Sequence, residues 1–561
     1  MMTVQTASKI SIFGVNKNRL SDRFNIVSSA AILVSCTFLS LPSSATFTFD
    51  GQAPKHSQSQ QGQFEQLILP LLPPQSQVSI LAIDTNSNEI LLEKQADTLL
   101  IPASTQKVLT AVTALATLGH DYRYETQLLT NAPLRQGQIA GDVYLKFSGD
   151  PTLLREDLNA LFAHLSQQGI HRINGNVILI GDTNEQLQAP GWVWDDLGIC
   201  FAAPVSRFII DQNCVYGEFL PQQIKTNANK PAAPTSKVTL RASSAGVNVD
   251  NEATYSNQID DEFCKLALLP LGQNRYQLRG CYSHTQPLPL AIAITDPQKF
   301  AKDSVQSLLK INGLTSGQIK IGTHLPAKTQ VIASHRSAPL TELLETMLLK
   351  SDNLIADSLF KLVGERHYQS QGTFERGAAA MREILTELGI DLNSANIVDG
   401  SGLSRYNLLS AAQIAQVLTL IDKEPRFRGL KQRLPKSGVS GTLKYRFGFT
   451  TPPLKNKVFA KTGSMQGVSN LAGFMSLNDS KQAEVNHSEP HQAHEILFVI
   501  LENGISPERK KSSPKTSVTA NVLSAMLKGM PRGSASKANN EVKPATQTNP
   551  IAKRQEKILG N

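Results

Sequence analysis

Ser104 and Lys107 stand three residues apart at the start of the apolar run 108–119. On a helix these positions share a face, so the lysine amine lies within reach of the serine hydroxyl. Burial in apolar surroundings and the positive end of a helix dipole both lower the pKa of a lysine. A partly neutral lysine can take a proton from a serine, which turns the serine into a nucleophile. The spacing predicts that Lys107 accepts the proton of Ser104 and so activates it as a nucleophile.

A simpler interpretation makes Ser104 only the N-cap of the helix. Lys107 argues against it, because a capping box prefers Glu or Gln at that position and a cation opposes the helix dipole. The Ser-x-x-Lys pattern alone is a weak signal, since about two chance matches are expected in a chain of this length. Other matches occur, and none of them begins a long apolar helix: Ser307 with Lys310, Ser358 with Lys361, Ser512 with Lys515 and Ser534 with Lys537.

Two further short motifs carry side chains suited to acid–base chemistry. Ser351-Asp-Asn353 joins two segments with helical periodicity, and alone it is equally typical of a helix cap. Lys461-Thr-Gly463 ends a strand-like run before a turn and occurs once in the chain. By itself it is compatible with a lysine on a strand edge, so neither motif is decisive alone.

In this order, the three motifs resemble the signature of penicillin-binding proteins and class A β-lactamases. The resemblance implies that Ser351 relays the proton to the leaving amine, and that Asn353 holds Lys107 and the substrate amide. It also implies that Lys461 and Thr462 meet the terminal carboxylate of the substrate.

The same resemblance assigns an oxyanion hole to the backbone N–H groups of Ser104 and Ser464. Losing one such donor typically costs ~3–4 kcal/mol of activation free energy. Gly463 lies between Thr462 and Ser464 and belongs to the same substrate-binding segment.

The segment between Lys107 and Ser351 is too long for a β-lactamase domain and distinguishes members of this superfamily. Its sequence resembles the class C penicillin-binding proteins, the D-alanyl-D-alanine carboxypeptidase/endopeptidase group of the penicillin-binding protein 4 type. The similarity runs from about residue 67 to 529. The stretches that carry it are Phe147-Ser-Gly-Asp-Pro-Thr-Leu153, Pro190-Gly-Trp-Val-Trp-Asp-Asp-Leu197, Asp211-Gln-Asn-Cys214, Val398-Asp-Gly-Ser-Gly-Leu-Ser-Arg405 and Ser440-Gly-Thr-Leu-Lys-Tyr-Arg-Phe447.

This family resemblance implies peptidoglycan stem peptides as substrates, β-lactams as inhibitors, and no cofactor or metal. It places Arg405 and Gln466 beside the site and Asp211 at the diaminopimelate end of the substrate. Simpler interpretations are a surface ion pair for Arg405 and a turn position for Gln466.

The fold expected is α+β, a serine β-lactamase/transpeptidase-like domain with an antiparallel sheet flanked by helices. A large β-rich insertion separates the first and second motifs. The segments are a signal peptide at 1–45, the catalytic domain at 48–120 and 329–530, the disulfide-bearing insertion at 121–328, and a disordered basic tail at 531–561. The polar stretch 48–62 predicts a flexible lead-in.

Residues 1–45 resemble an export signal, with basic residues, an apolar stretch of about 16 residues and a small-residue cleavage site. That stretch is shorter than the ~20 residues of a membrane span. The protein is therefore expected in the periplasm. Cys36 also lies in a lipoprotein-like box, so its lipidation stays open.

Four cysteines remain after cleavage, and an even count in an exported chain favours disulfides over free thiols. Proximity in sequence favours two short loops, although three connectivities are possible. The favoured pairs are Cys200 with Cys214 and Cys264 with Cys281.

The formal net charge of +9 is spread along the chain. This distribution does not indicate a nucleic-acid-binding surface, and it allows at most a weak attraction to membrane or wall.

Three histidines fall in the polar loop 486–494. A metal site there is conceivable, but Pro490 breaks the helix that would align them, which favours a solvated insertion.

The sequence as a whole predicts a serine-type D-Ala-D-Ala carboxypeptidase, a DD-endopeptidase, or both, acting through an acyl-enzyme and binding penicillin. The sequence does not separate the two activities and does not fix the oligomeric state. The alternatives are a serine β-lactamase and a catalytically inactive wall-binding scaffold.

Overall fold

The chain enters one central sheet near its beginning and returns to it near its end. The computed structural model describes residues 55–56, 58–221, 236–241, 246–255, 264–477, 494–508 and 517–530. The predicted signal peptide, the basic tail and all of the histidine loop except His494 lie outside these residues. His494 Nε2 lies 2.5 Å from Asp84 Oδ2.

The segment before the insertion forms two helices and three strands. They are β1 (Lys55–His56), α1 (Gln58–Ile68), β2 (Gln77–Asp84), β3 (Glu89–Lys94) and α2 (Lys107–Leu118). The runs 78–84 and 89–93 flank the turn Thr85-Asn-Ser-Asn88, a pattern that predicts a hairpin. Antiparallel pairing of β2 with β3 confirms it. The expectation of a flexible lead-in over 48–62 is wrong at its end, where α1 begins. Phe64 and Ile68 on that helix are buried against the helix Val518–Gly529, and this tertiary contact overrides the polar composition.

The inserted segment contains sixteen strands and two helices among its described residues. They are β4 (Glu125–Thr130), β5 (Leu134–Arg135), β6 (Gln138–Ile139), β7 (Val143–Lys146), α3 (Arg155–Gln167), β8 (Arg172–Ile173), β9 (Val177–Ile180), β10 (Cys214–Pro221), β11 (Ser236–Leu240), β12 (Asn248–Asn251), β13 (Thr254–Tyr255), β14 (Ala267–Gly272), β15 (Arg275–Arg279), β16 (Cys281–Tyr282), β17 (Leu288–Ala293), α4 (Pro297–Ile311), β18 (Ile319–Gly322) and β19 (Gln330–Arg336).

The largest sheet of the insertion has the order β18-β9-β7-β4-β19. Apolar side chains from this sheet and from α3 and α4 form a hydrophobic core of their own. Because β19 pairs with β4, the sheet continues past residue 328 to Arg336. Two disulfides join Cys200 to Cys214 and Cys264 to Cys281, as predicted.

The described residues after β19 form the remaining helices and strands. They are α5 (Leu340–Lys350), α6 (Asn353–Tyr368), α7 (Phe374–Glu387), α8 (Ala411–Lys423), α9 (Gly429–Gln432), β20 (Val458–Met465), β21 (Val468–Ser476), β22 (Glu495–Asn503) and α10 (Val518–Gly529).

The central sheet has the order β1-β3-β2-β22-β21-β20, so β20 is an edge strand. All its pairings are antiparallel except that of the short β1 with β3. The register of β2 on β22 runs from Gln77 opposite Asn503 to Asp84 opposite Ile496. The predicted α+β class is confirmed.

Helices cover both faces of this sheet, because successive side chains of a strand point to opposite sides. Leu81 and Val499 pack with α2 and with α5 to α8. Ile80 and Ile500 face the other side and pack with α1 and α10. The sheet therefore supplies a rigid edge, β20, beside the helical layer that begins with α2.

Phe498 offers a test of this packing, because its side chain is 0% exposed. We expect Phe498→Ala to lower the free energy of unfolding by about 3–5 kcal/mol, through lost contacts and a cavity. The matched control is Phe447→Ala, at a side chain that is 55% exposed, where the loss should stay below about 1 kcal/mol. Urea unfolding followed by tryptophan fluorescence measures both; equal losses would contradict the packing.

Candidate active site

Ser104 lies in a short 3₁₀ turn, Ala103–Gln106, that leads directly into α2. Neither helical segment has a side-chain cap at its start, so Ser104 does not act as the N-cap. Its Oγ instead accepts a hydrogen bond from Lys107 Nζ at 3.0 Å. The pair predicted from the spacing is therefore formed.

Lys107 is fully buried, and its Nζ has three hydrogen-bond partners. They are Ser104 Oγ at 3.0 Å, Asn353 Oδ1 at 2.6 Å and the Ser401 carbonyl oxygen at 2.6 Å. Burial lowers the pKa of Lys107 to about 8, and the negative charges of Asp357, Asp399 and Asp352 oppose a further fall.

A pKa of about 8 leaves roughly one lysine in ten neutral at pH 7, against fewer than about one in a thousand at the ordinary value. A neutral amine keeps two N–H donors and gains one lone pair. Asn353 Oδ1 and the Ser401 carbonyl have no proton to give, whereas Ser104 does. The geometry thus leaves the lone pair of Lys107 for the Ser104 hydroxyl.

The Ser351-Asp-Asn353 motif forms the connection between α5 and α6. Ser351 ends α5 in the left-handed conformation, with φ 60° and ψ 38°. Asp352 caps α6 by accepting the Ile355 N–H. Asn353 is the first residue of α6 and also donates from Nδ2 to the Phe201 carbonyl at 2.8 Å, which ties the catalytic helices to the insertion.

Lys461 lies on β20 and is also fully buried. Its Nζ donates to Ser351 Oγ at 2.8 Å and to the Thr462 carbonyl at 2.9 Å. Burial holds the pKa of Lys461 well below its ordinary value, and the positive charges of Lys107 and Arg446 lower it further. The second and third motifs are thereby joined by one hydrogen bond.

The Ser104 turn is held against β20 by close backbone approach. Asn470 on β21 donates from Nδ2 to the carbonyls of Ile101 and Pro102, both at 2.9 Å. A Cβ on Gly463 would lie 2.7 Å from the Pro102 carbonyl oxygen, so only glycine fits there. Asn470 and Gly463 therefore fix how far the nucleophile stands from the strand.

A buried carboxylate, Asp357, supports the carbonyl that contacts Lys107. Its Oδ1 accepts the N–H groups of Gly400 at 2.8 Å and Ser401 at 2.9 Å. Burial and the nearby Asp399 raise the pKa of Asp357 to about 8. Sequence reasoning missed both Asp357 and Ser401. The available signal was an aspartate one helical turn after Asn353, on a helix that is otherwise apolar there.

Arg405 and Gln466 contact each other, and their position beside the substrate stays a prediction. Arg405 donates from a terminal guanidinium nitrogen to the Gln466 carbonyl at 3.2 Å. Burial raises the pKa of Asp196, and the charge of Arg405 opposes that rise. The carboxylate of Asp196 therefore lies near Arg405 and Gln466. Asp196 was not singled out from the sequence, although it lies in one of the stretches that carried the resemblance.

Asp211 makes its contacts inside the insertion. Its Oδ1 accepts the N–H of Arg155, at the start of α3, at 2.9 Å. Burial raises the pKa of Asp211. Hydrogen bonds within the described part of the chain do not link its carboxylate to the motif residues, so a role for Asp211 in substrate binding stays a prediction.

The described residues carry neither a metal-binding cluster nor a membrane-spanning helix. No cluster of three or more His, Cys, Asp or Glu side chains is arranged to hold a metal ion in this part of the chain. No helix among the same residues is long and apolar enough to cross a membrane.

The chain is similar to a known protein family and to individual proteins. Residues 65–522 match the D-Ala-D-Ala carboxypeptidase 3 (S13) family. The chain belongs to this family. It is 36% identical over 408 residues to the D-alanyl-D-alanine carboxypeptidase DacB of Haemophilus influenzae, covering 72% of this chain and 83% of that protein.

Solved structures of the family agree with this assignment. The crystal structure of penicillin binding protein 4 (dacB) from Haemophilus influenzae matches with a TM-score of 0.73 and 33% identity, covering 83% of this chain and 98% of that one. The same H. influenzae protein complexed with a novel β-lactam matches with a TM-score of 0.70 and 32% identity, over the same shares of both chains.

The lowered pKa of the Lys107 amine can be tested by NMR. We expect the ¹³Cε signal of Lys107 to titrate near pH 8, because burial disfavours its charged form. Asn353→Asp should raise this pKa by placing a carboxylate where Lys107 now has a neutral partner. The signal is assigned by its loss in Lys107→Met. A midpoint near 10.5, the ordinary value, would contradict the geometry.

Proposed function

We propose that this protein is a serine-type D-Ala-D-Ala carboxypeptidase and DD-endopeptidase that cleaves peptidoglycan stem peptides through an acyl-enzyme on Ser104. The observation that carries the proposal is the 3.0 Å contact of the buried Lys107 amine with the Ser104 hydroxyl, in a chain of the S13 family. Both activities break a bond to the carbonyl of a D-Ala residue and differ only in the amine that leaves.

In acylation, Ser104 Oγ attacks the carbonyl carbon of the penultimate D-Ala and its proton moves to Lys107 Nζ. The backbone N–H groups of Ser104 and Ser464 hold the developing oxyanion. The C–N bond then breaks, and the proton reaches the leaving amine through Ser351. The 2.8 Å contact of Lys461 Nζ with Ser351 Oγ supports this relay by orienting the hydroxyl.

In deacylation, water attacks the ester carbon of the acyl-enzyme and gives its proton to Lys107. The ester C–O bond breaks, Ser104 recovers its proton, and the shortened peptide leaves. The same amine serves both steps, because its pKa of about 8 allows it to accept and return a proton near neutral pH.

Substrate is held at two ends in this proposal. Lys461, Thr462 and Gly463 bind the terminal carboxylate beside the oxyanion donors. Arg405 and Gln466 flank the stem peptide, and Asp211 stays the candidate for the diaminopimelate end. The contact of Arg405 with Gln466 at 3.2 Å supports the second group.

The location and domain scheme are part of the same proposal. Residues 1–45 direct export to the periplasm. Residues 121–336 form an insertion within a catalytic domain made of 48–120 and 337–530, because the pairing of β19 with β4 moves the boundary from the predicted residue 328 to Arg336. The two disulfides support an oxidising compartment. The separate hydrophobic core built from the insertion supports the domain scheme. Any attraction to membrane or wall is weak and rests on the positive net charge alone.

Intact-mass spectrometry after treatment with benzylpenicillin tests the nucleophile. We expect one penicilloyl adduct on the wild-type chain and none on Ser104→Ala, because the ester forms on Ser104 Oγ. Ser307→Ala is the matched control, since Ser307 begins another Ser-x-x-Lys pattern, and it should keep the adduct. An adduct that persists in Ser104→Ala would refute the assignment. Fast nitrocefin turnover instead of a stoichiometric burst would favour a β-lactamase.

The pH dependence of penicillin acylation tests whether Lys107 is the general base. The reactive species holds Lys107 neutral, so the second-order rate should rise about tenfold per pH unit below pH 8 and level off above it. Stopped-flow fluorescence measures the rate, and circular dichroism across the same pH range controls for unfolding. A rate that is flat from pH 6 to 9 would rule out Lys107 as the base.

A further inference from the structure

Arg446 is a partly buried cation in the loop between α9 and β20. One terminal guanidinium nitrogen donates to Ser469 Oγ at 3.2 Å. Burial lowers the pKa of Arg446, and no acidic group among the described residues counteracts this. A guanidinium remains charged in proteins, so this cation stands without an anionic partner within the described ranges.

The position of Arg446 follows from the strand register. Ser469 on β21 lies directly opposite Ser464 on β20. Directly opposite residues of an antiparallel pair project from the same face. The guanidinium therefore lies over the end of β20 that carries the third motif. Its charge is also one of those that lower the pKa of Lys461.

The same loop places a second polar side chain on that motif. Thr442 lies in the 3₁₀ turn Gly441–Leu443, and its Oγ1 accepts a hydrogen bond from Thr462 Oγ1 at 2.8 Å. A Cβ on Gly441 would lie 2.8 Å from the Leu349 carbonyl, so the turn is seated closely on the end of α5. Both Thr442 and Arg446 are thus positioned by a loop anchored beside the site.

We propose that Arg446, oriented by the loop that also carries Thr442, is a specificity-determining residue that binds the free C-terminal carboxylate of the substrate. The inference rests on the proposed function and adds to it a residue outside the three motifs. A guanidinium presents five N–H donors in a planar fork that fits a carboxylate. One N–H group of Arg446 donates to Ser469, and the other N–H groups remain available to an anion.

The local charges favour this assignment over a purely structural role. Lys107 and Arg446 each act on Lys461 as a like charge at this end of the sheet. Partly buried like charges are costly unless an anion joins them. A substrate carboxylate would offset that cost, whereas a neutral end group would not. The site should therefore discriminate between a free acid and a neutral amide.

The test compares two substrates that differ only in this group. They are diacetyl-L-Lys-D-Ala-D-Ala and the same peptide with a C-terminal carboxamide. For Arg446→Gln we expect kcat/KM on the free acid to fall about 10- to 100-fold, with little change on the carboxamide. Arg446→Lys should recover part of the loss. Lys444→Gln is the control, because it removes a positive charge from an exposed position of the same loop and should change neither rate.

Each outcome decides the inference. A collapse of the free-acid preference in Arg446→Gln, with thermal unfolding unchanged, supports it. Equal losses on both substrates, or no loss on either, overturn it while the proposed function stands. Absence of wild-type turnover of the free acid overturns the proposed function and this inference together.

Discussion

The site depends on one constraint: the Lys107 amine is removed from water and kept beside a hydroxyl. An isolated buried ammonium is very costly, and proteins commonly relieve that cost by lowering the pKa of the group. Here Asn353 Oδ1 and the Ser401 carbonyl offset part of that cost by accepting hydrogen bonds from the amine. Those acceptors fix the position of the amine, and burial sets its basicity.

Three chain segments far apart in sequence must meet to bury that amine. The turn before α2 supplies Ser104, the α5–α6 connection supplies Asn353, and the loop braced by Asp357 supplies Ser401. The fourth segment is β20, which supplies Lys461, a second buried amine. The fold therefore brings together two buried lysine amines whose pKa values are lowered. Each amine contacts a serine hydroxyl.

Local patterns were enough to predict much of this arrangement. The apolar run after Lys107 predicted α2, the strand-like run that ends in Lys461-Thr-Gly463 predicted β20, and the order of the motifs indicated the family. Ser401 was beyond such reasoning, because it contributes a backbone carbonyl, which any residue type possesses. Asp196 and Asn470 act through tertiary contacts that no local pattern encodes. The helix α1 formed because Phe64 and Ile68 found partners at the other end of the chain.

The pairing of β2 with β22 joins residue 77 to residue 503. Strand β22 also separates β2 from the β21–β20 hairpin that carries Lys461. The sheet therefore stays in two pieces until nearly all of the chain has emerged. Contacts of such long sequence separation form slowly. A nascent chain therefore holds Ser104 without the β20 edge in place beside it, and the site is complete only when β22 pairs with both β2 and β21.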